Sequence, residues 1–250
     1  AYTVSEAKVT GYNTQITGSI ESGFTIKNTH TPETIDIEGT KTWDDNDNQD
    51  GKRKDAITVR LYADGSEINS ESVTAAKGWK YKFTDLPKYR GGNEIKYTIT
   101  EDTVEDYNTD INGYDITNSY TPGKTSISVL KEWNDADNQD GKRATSVKVK
   151  LVANGIDVTN SEVTLSADNQ WKHTWNDLPQ KSGGNNITYT VKETSSIDGY
   201  SAKVTGDAKT GFVVTNSHKP ETIDIEGTKT WDDNDNQDGK RKDAITVRLY

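Results

Sequence analysis

The chain has 250 residues, is 30% hydrophobic and 28% charged, carries a net charge of −10 and contains no cysteine. That charge disfavours nucleic acid and anionic membrane surfaces, which would repel it. No stretch of the ~18 apolar residues a bilayer requires is present, and disulfides are excluded as a staple for a thin core.

Such polarity alone would allow disorder, but six Trp and twelve Tyr set in regular alternating runs argue for small β domains. In chain order, AYTVSEAKV reads as a strand with Tyr2, Val4 and Glu6 on one face, so the sequence is read as starting inside a domain. No signal peptide is visible. IKN then places Ile26 with Asn28. The next strand, IDIEGTKTW at 35–43, puts Ile35, Ile37, Gly39, Lys41 and Trp43 on one face, so a lysine stands in the apolar row. The acidic loop DDNDNQDGKR follows, and further strands are predicted over 57–62, 78–84, 94–101 and 114–118. Within these, Tyr97, Ile99 and Glu101 share a face, as do Ile116 and Asn118.

The pattern then repeats. Lys131 stands between Val129 and Trp133, Glu193 follows Tyr189 and Val191, and Asn216 follows Val214. The segment 33–62 returns unchanged at 221–250, bringing Lys229. The array divides into the end of one unit (1–32), two complete units (33–122 and 123–220) and the start of a fourth (221–250). Short strands with regular turn signals and no convincing helix predict an all-β sandwich in each unit. Pro32, Pro122 and Pro220 close the units, and such short Pro junctions should limit bending between neighbouring repeats.

Each complete unit thus offers an inward trio: Lys41, Glu101 and Asn118, then Lys131, Glu193 and Asn216. An unpaired buried charge costs several kcal/mol, roughly, so these groups must neutralise or pair. One outcome is chemical. A desolvated, neutral lysine amine is a nucleophile, and a protonated glutamic acid can hydrogen-bond the Asn carboxamide and shuttle protons. Attack on the carboxamide carbon with loss of ammonia would leave a Lys–Asn isopeptide bond. Placement in a rigid core can lower such a barrier by roughly 7–11 kcal/mol.

The residues TKTWDDNDNQDGKR, WKYKFTDLPKY, YTITED and ITNSYTPG, in this order, resemble the B-type repeat domains of Gram-positive surface adhesins, the CnaB (collagen adhesin B-repeat) family. The resemblance covers essentially the whole chain. It implies tandem transthyretin-like, inverse immunoglobulin β-sandwich domains. It implies that Lys41 bonds Asn118 and Lys131 bonds Asn216, with Glu101 and Glu193 as the assisting acids. Glu6, Asn28 and Lys229 are the equivalents in the incomplete units. It also implies a peptidoglycan-anchored, extracellular stalk on a bacterial cell surface that projects a separate region toward a host extracellular-matrix protein. Such a segment works as a monomer beside neighbouring repeats. It needs no cofactor or metal and is no enzyme beyond one self-cross-linking turnover per domain. Two rival readings are repeats that bind host matrix themselves and shaft domains of a sortase-assembled pilus.

Simpler readings stand beside these. A single strand lysine can snorkel to water from an edge. The acidic loop begins like an EF-hand, with Asn46, Asn48, Asp50 and Gly51, but Ile57 falls where the bidentate acid belongs, so it is read as a solvated connection. Trp79, Trp171 and Trp175 are read as core or cross-strand residues, and His30, His173 and His218 as surface residues. Asn186 opens a glycosylation sequon without consequence in a bacterial protein. Completion of the partial end units by a second chain is a further reading.

Overall fold

The computed structural model describes residues 2–250. They gather into two compact units: the residues up to Ile127 with Val152–Ile156 and Thr174–Thr190, and Ser128–Leu151 with Asp157–His173 and Val191–Tyr250. The Lys41 trio lies wholly in the first and the Lys131 trio wholly in the second. Among the described residues no helix is long and apolar enough to cross a membrane.

The first complete repeat is a β-sandwich. One sheet runs in the order Asn108–Asn112, Asp115–Ser119, Thr34–Asp44, Lys80–Pro87, and the other in the order Ser66–Thr74, Ala56–Ala63, Tyr97–Glu101. The Ala56–Ala63 strand shows why the chain folds this way. Ile57, Val59, Leu61 and Ala63 are buried while Thr58, Arg60 and Tyr62 face outward, the period of two that a half-buried strand imposes. Val73, Tyr97 and Ile99 join them from the same sheet, and Ile37, Tyr81, Phe83, Leu86 and Ile116 come from the facing sheet. Each such aliphatic side chain contributes about 1.5–3 kcal/mol on burial.

The first and last strands of the repeat lie side by side and parallel, Lys41 opposite Ile116 and Trp43 opposite Asn118. The second repeat shows the same pairing, Lys131 opposite Val214 and Trp133 opposite Asn216. Gly39 sits where the backbone comes close to its neighbours: a Cβ there would overlap the Tyr114 carbonyl and the Tyr81 ring.

Several sequence expectations need correction. Residues 2–9 form no strand, Ala1 lying outside the described residues. Their counterpart Tyr97–Glu101 is held by a ladder to Ala56–Ala63, whereas Tyr2 is 80% exposed and the first segment's hairpin is instead Asn13–Ser19 with Gly23–Thr29. The strand expected from 78 begins at Lys80, because Gly78 and Trp79 both adopt the left-handed conformation. Two polar strands were not foreseen, Ser66–Thr74 and Asn108–Asn112. Most of their side chains face water, so no apolar alternation marks them.

The acidic loop holds three consecutive left-handed residues in every copy: Asn46, Asp47 and Asn48; Ala136, Asp137 and Asn138; Asn234, Asp235 and Asn236. Asn and Asp tolerate this region, whereas a Cβ without a local polar bond costs roughly 1–2 kcal/mol there. Asn46 Nδ2 also donates to Gln49 Oε1 at 3.0 Å, a contact Ala136 cannot make. Ala136→Asn is therefore expected to stabilise the second repeat by about 0.5–1 kcal/mol. Urea unfolding would measure it, and a destabilised variant would contradict the conformational argument.

Candidate functional site

The lysine in the apolar row is buried. Lys41 is 2% exposed, and its Nζ lies 3.4 Å from Glu101 Oε1 with both side chains fully buried. The amine also donates to the Thr42 carbonyl at 3.2 Å and sits over the Trp43 ring, 4.4 Å from its centroid. Asn118, two residue pairs along the parallel ladder, is 0% exposed, and neither its Nδ2 nor its Oδ1 has a hydrogen-bond partner. A buried carboxamide with no partner forfeits about 1–3 kcal/mol for each polar group, which is unusual in a native core. Glu101 is oriented from its other side by Thr109, whose hydroxyl donates to Oε2 at 2.9 Å.

The second repeat builds the same constellation with different bonds. Lys131 is buried, donates to the Glu132 carbonyl at 2.6 Å and lies 3.9 Å from the Trp133 centroid. Asn216 is buried and its Nδ2 donates to Glu193 Oε1 at 3.0 Å, leaving Asn216 Oδ1 without a partner.

Burial is the main influence on both amines. It pushes Lys41 down to about 8 against the opposing pull of Glu101 and Asp45, and Lys131 down to about 8 against Glu193 and Asp135. Burial thus favours the neutral, nucleophilic form of both amines far more than in an ordinary lysine.

In the first segment Asn28 Nδ2 donates to Glu6 Oε1 at 2.9 Å at an exposed site. Lys229 is exposed, with its amine over the Trp231 ring and bonded to the Thr230 carbonyl. The structure thus brings Lys41 to Glu101, Glu193 to Asn216 and Glu6 to Asn28, with Lys131 on the strand beside Asn216.

An aromatic wall closes each site. Trp43 meets Trp79 and Tyr107 edge-on at 5.3 and 5.0 Å, and Trp133 meets Trp171 and Tyr200 at 5.5 and 5.3 Å. Trp79 and Trp171 stand in turns rather than strands and pack onto Trp43 and Trp133, and Trp175 is buried.

The acidic loop corrects its reading as a solvated connection. Asp45 is 2% exposed and accepts bonds from Arg53 Nε and Nη2, the Asn48 amide and the Tyr107 hydroxyl. Asp50, the carboxylate in the calcium reading, is engaged as well, accepting from the Tyr120 hydroxyl at 2.8 Å and the Gly123 amide at 3.0 Å. Asp135 repeats the bonds of Asp45 with Arg143, Asn138 and Tyr200. Only the spacing Asp-x7-Arg, repeated in each copy, signalled this clamp in the sequence.

The histidines also differ from expectation. His30 is exposed, but His173 is half-buried, and burial pushes its pKa down. His218 is enclosed, with Nε2 2.8 Å from Asp140 and Nδ1 2.7 Å from the Gly199 carbonyl. Both ring nitrogens face acceptors, so Asp140 first and Gly199 second hold the imidazolium and raise its pKa.

The family model of the Cna protein B-type domain matches residues 37–119, 127–217 and 225–250. A collagen adhesin from Staphylococcus aureus is 48% identical over 249 residues, 99% of this chain and 21% of that protein; the chain thus spans about a fifth of that relative's length. Among solved structures, two B repeat units of the collagen binding protein of Staphylococcus aureus share 45% identity at a TM-score of 0.45, covering 85% of this chain and 57% of that one. A single B repeat unit of the same protein shares 47% identity at a TM-score of 0.38, covering 75% of this chain and 100% of that one. With three successive matches over most of its length, each complete one enclosing a buried Lys, Glu and Asn, the chain belongs to the Cna protein B-type domain family.

Proposed function

We propose that each complete repeat welds its own first strand to its last through a Lys–Asn isopeptide bond, and that the repeats form the stalk of a cell-wall-anchored bacterial surface adhesin. The observation that carries this reading is the fully buried Asn118 carboxamide, unpartnered, on the strand beside the Lys41 amine. Sharing one proton between Lys41 and Glu101 gives, in one of its two placements, a neutral nucleophile beside an acid. The amine attacks Asn118 Cγ, the C–Nδ2 bond breaks, and the proton lost by Nζ is relayed through Glu101 to the departing nitrogen. Ammonia leaves and the carboxyl is restored. This is one turnover per domain, not enzymatic catalysis of an external substrate.

The topology supports a mechanical role. Force applied along the array loads the Thr34–Asp44 and Asp115–Ser119 strands, and a covalent bond between them would carry the load past the rest of the sandwich. The relative's name associates it with collagen. For this protein we assign recognition of a host matrix protein to regions outside this segment.

Intact-mass spectrometry tests the reading. The unsubstituted chain is expected to be one ammonia lighter for each complete repeat, with branched peptides joining Lys41 to Asn118 and Lys131 to Asn216. A full, unreduced mass would overturn it.

A further inference from the structure

Three copies of the Glu–Asn pair differ at one position. The residue directly across the antiparallel ladder from the Asn is Thr109 opposite Asn118, Thr14 opposite Asn28, and Ala202 opposite Asn216. In both Thr copies the hydroxyl donates to the outer glutamate oxygen at 2.9 Å, Thr109 to Glu101 Oε2 and Thr14 to Glu6 Oε2. The Thr14 hydroxyl also lies 2.6 Å from Asn28 Oδ1, so its single proton has two acceptors there, whereas Asn118 Oδ1 takes no bond and Thr109 donates to Glu101. Where Ala202 stands, Glu193 Oε2 is buried without a partner.

The inner oxygen differs as well. With both threonine and lysine present, Glu101 Oε1 faces Lys41 Nζ at 3.4 Å. With alanine, Glu193 Oε1 instead accepts from Asn216 Nδ2 at 3.0 Å. With threonine but no lysine, Glu6 Oε1 also turns to the carboxamide. The carboxyl therefore chooses between amine and amide, and a bond that pins Oε2 helps decide the choice.

We infer that Thr109 is a positioning residue for cross-linking: its hydroxyl holds Glu101 so that Oε1 takes the proton from the attacking Lys41 amine. This rests on the isopeptide reading above. Glu101 gives the proton it shares with Lys41 to the carboxamide, and the Oε1 so vacated takes a proton from Nζ as the Nζ–Cγ bond forms; the Cγ–Nδ2 bond breaks with Nδ2 protonated, ammonia leaves and the carboxyl ends as it began. The second repeat, lacking the hydroxyl, starts from a carboxyl bound to the amide that must be released before it can accept from the amine. The two repeats of one chain therefore cross-link at different rates, the first faster.

The test refolds denatured, unlinked chain by dilution and follows ammonia loss by intact mass, with peptide mapping to assign each repeat. Tryptophan fluorescence times folding separately. Thr109→Ala is expected to slow the first repeat about tenfold, the size of one charge-assisted hydrogen bond. Thr109→Ser should restore it to within about twofold, because only the hydroxyl matters. Ala202→Thr should speed the second repeat about tenfold. That variant adds a hydroxyl to a repeat that folds without one, so it decides the matter even if Thr109→Ala fails to fold. Equal rates across Ala, Ser and Thr at either position, with ammonia still lost, would overturn the role of the hydroxyl while leaving the cross-link intact. Retention of all nitrogen by the unsubstituted chain would overturn the cross-link and this inference with it.

Discussion

Glu101→Gln is expected to abolish the loss of ammonia from the first repeat and to lower its unfolding midpoint by roughly 20–35 °C. The covalent bond would close a loop from residue 41 to residue 118. Chain-entropy arguments value a closure of that length at about 4.5 kcal/mol, and for a domain of this size each kcal/mol moves the midpoint by about 4–8 °C. Gln keeps the shape of Glu101 but removes the group that relays protons and pairs with Lys41, whose Nζ is 3.4 Å away. Part of the loss would then come from an unpaired buried amine rather than from the open loop. Lys41→Met separates the two, since it abolishes the bond without leaving an unpaired amine in the core. The second repeat, with its own Lys131, Glu193 and Asn216, serves as the control within the same molecule. Its calorimetric transition should stay in place while the first moves down. A variant whose mass differs from the parent only by the Glu-to-Gln replacement, or a midpoint shift of only a few degrees, would remove the mechanical argument for these repeats.

The alternating strands and the inward trio were legible because both follow from a period of two. Ile37 and Lys41 fall on the buried face of Thr34–Asp44, as do Ile116 and Asn118 on the last strand. What was not legible depends on partners distant in sequence. The clearest case is the identical segment found at 33–62 and 221–250. In the first position it forms two strands of a sandwich. In the second it forms none, and Ile225 and Val247 are exposed. Only the loop is the same in both, with Asp233 accepting from Arg241 and Asn236 as Asp45 does from Arg53 and Asn48. The loop is thus determined locally, by Asn and Asp residues that accept left-handed backbone. The strands are determined by ladder and core partners. Sequence reading erred in both directions for that reason. It assigned a strand to AYTVSEAKV, whose residues 2–9 lack a ladder, and it took for solvated a loop whose order comes from a buried ion pair.

That ion pair gives the second large effect. Asp45→Ala is expected to destabilise the first repeat by about 3–5 kcal/mol, the cost of breaking a buried pair from one side. The carboxylate accepts from Arg53 Nη2 at 2.6 Å and Nε at 3.1 Å, from the Asn48 amide at 2.9 Å and from the Tyr107 hydroxyl at 2.8 Å. All four donors lose their acceptor at once. Asp47, two residues on, approaches the same guanidinium at 3.8 Å from a fully exposed position, so Asp47→Ala should cost only about 0.5–1 kcal/mol, chiefly the left-handed preference of its backbone. The pH dependence follows from the same bonds. Burial alone would raise the Asp45 pKa, but Arg53, the Asn48 amide and Tyr107 together hold it below the ordinary 3.8. Near that value the unfolded chain binds more protons than the folded one. The stabilisation is therefore complete above 3.8 and is lost as the pH falls through the lowered folded value. Urea unfolding should show a wide gap between the parent chain and Asp45→Ala at neutral pH and a narrower gap in strong acid. The effect should also reach the cross-link, because Tyr107 packs edge-on against Trp43, over which the Lys41 amine lies. A loosened loop admits water to that amine, favours its charged form and slows the loss of ammonia. Equal effects for Asp45→Ala and Asp47→Ala would mean that the loop is only a solvated connection between strands and plays no part in keeping the lysine dry.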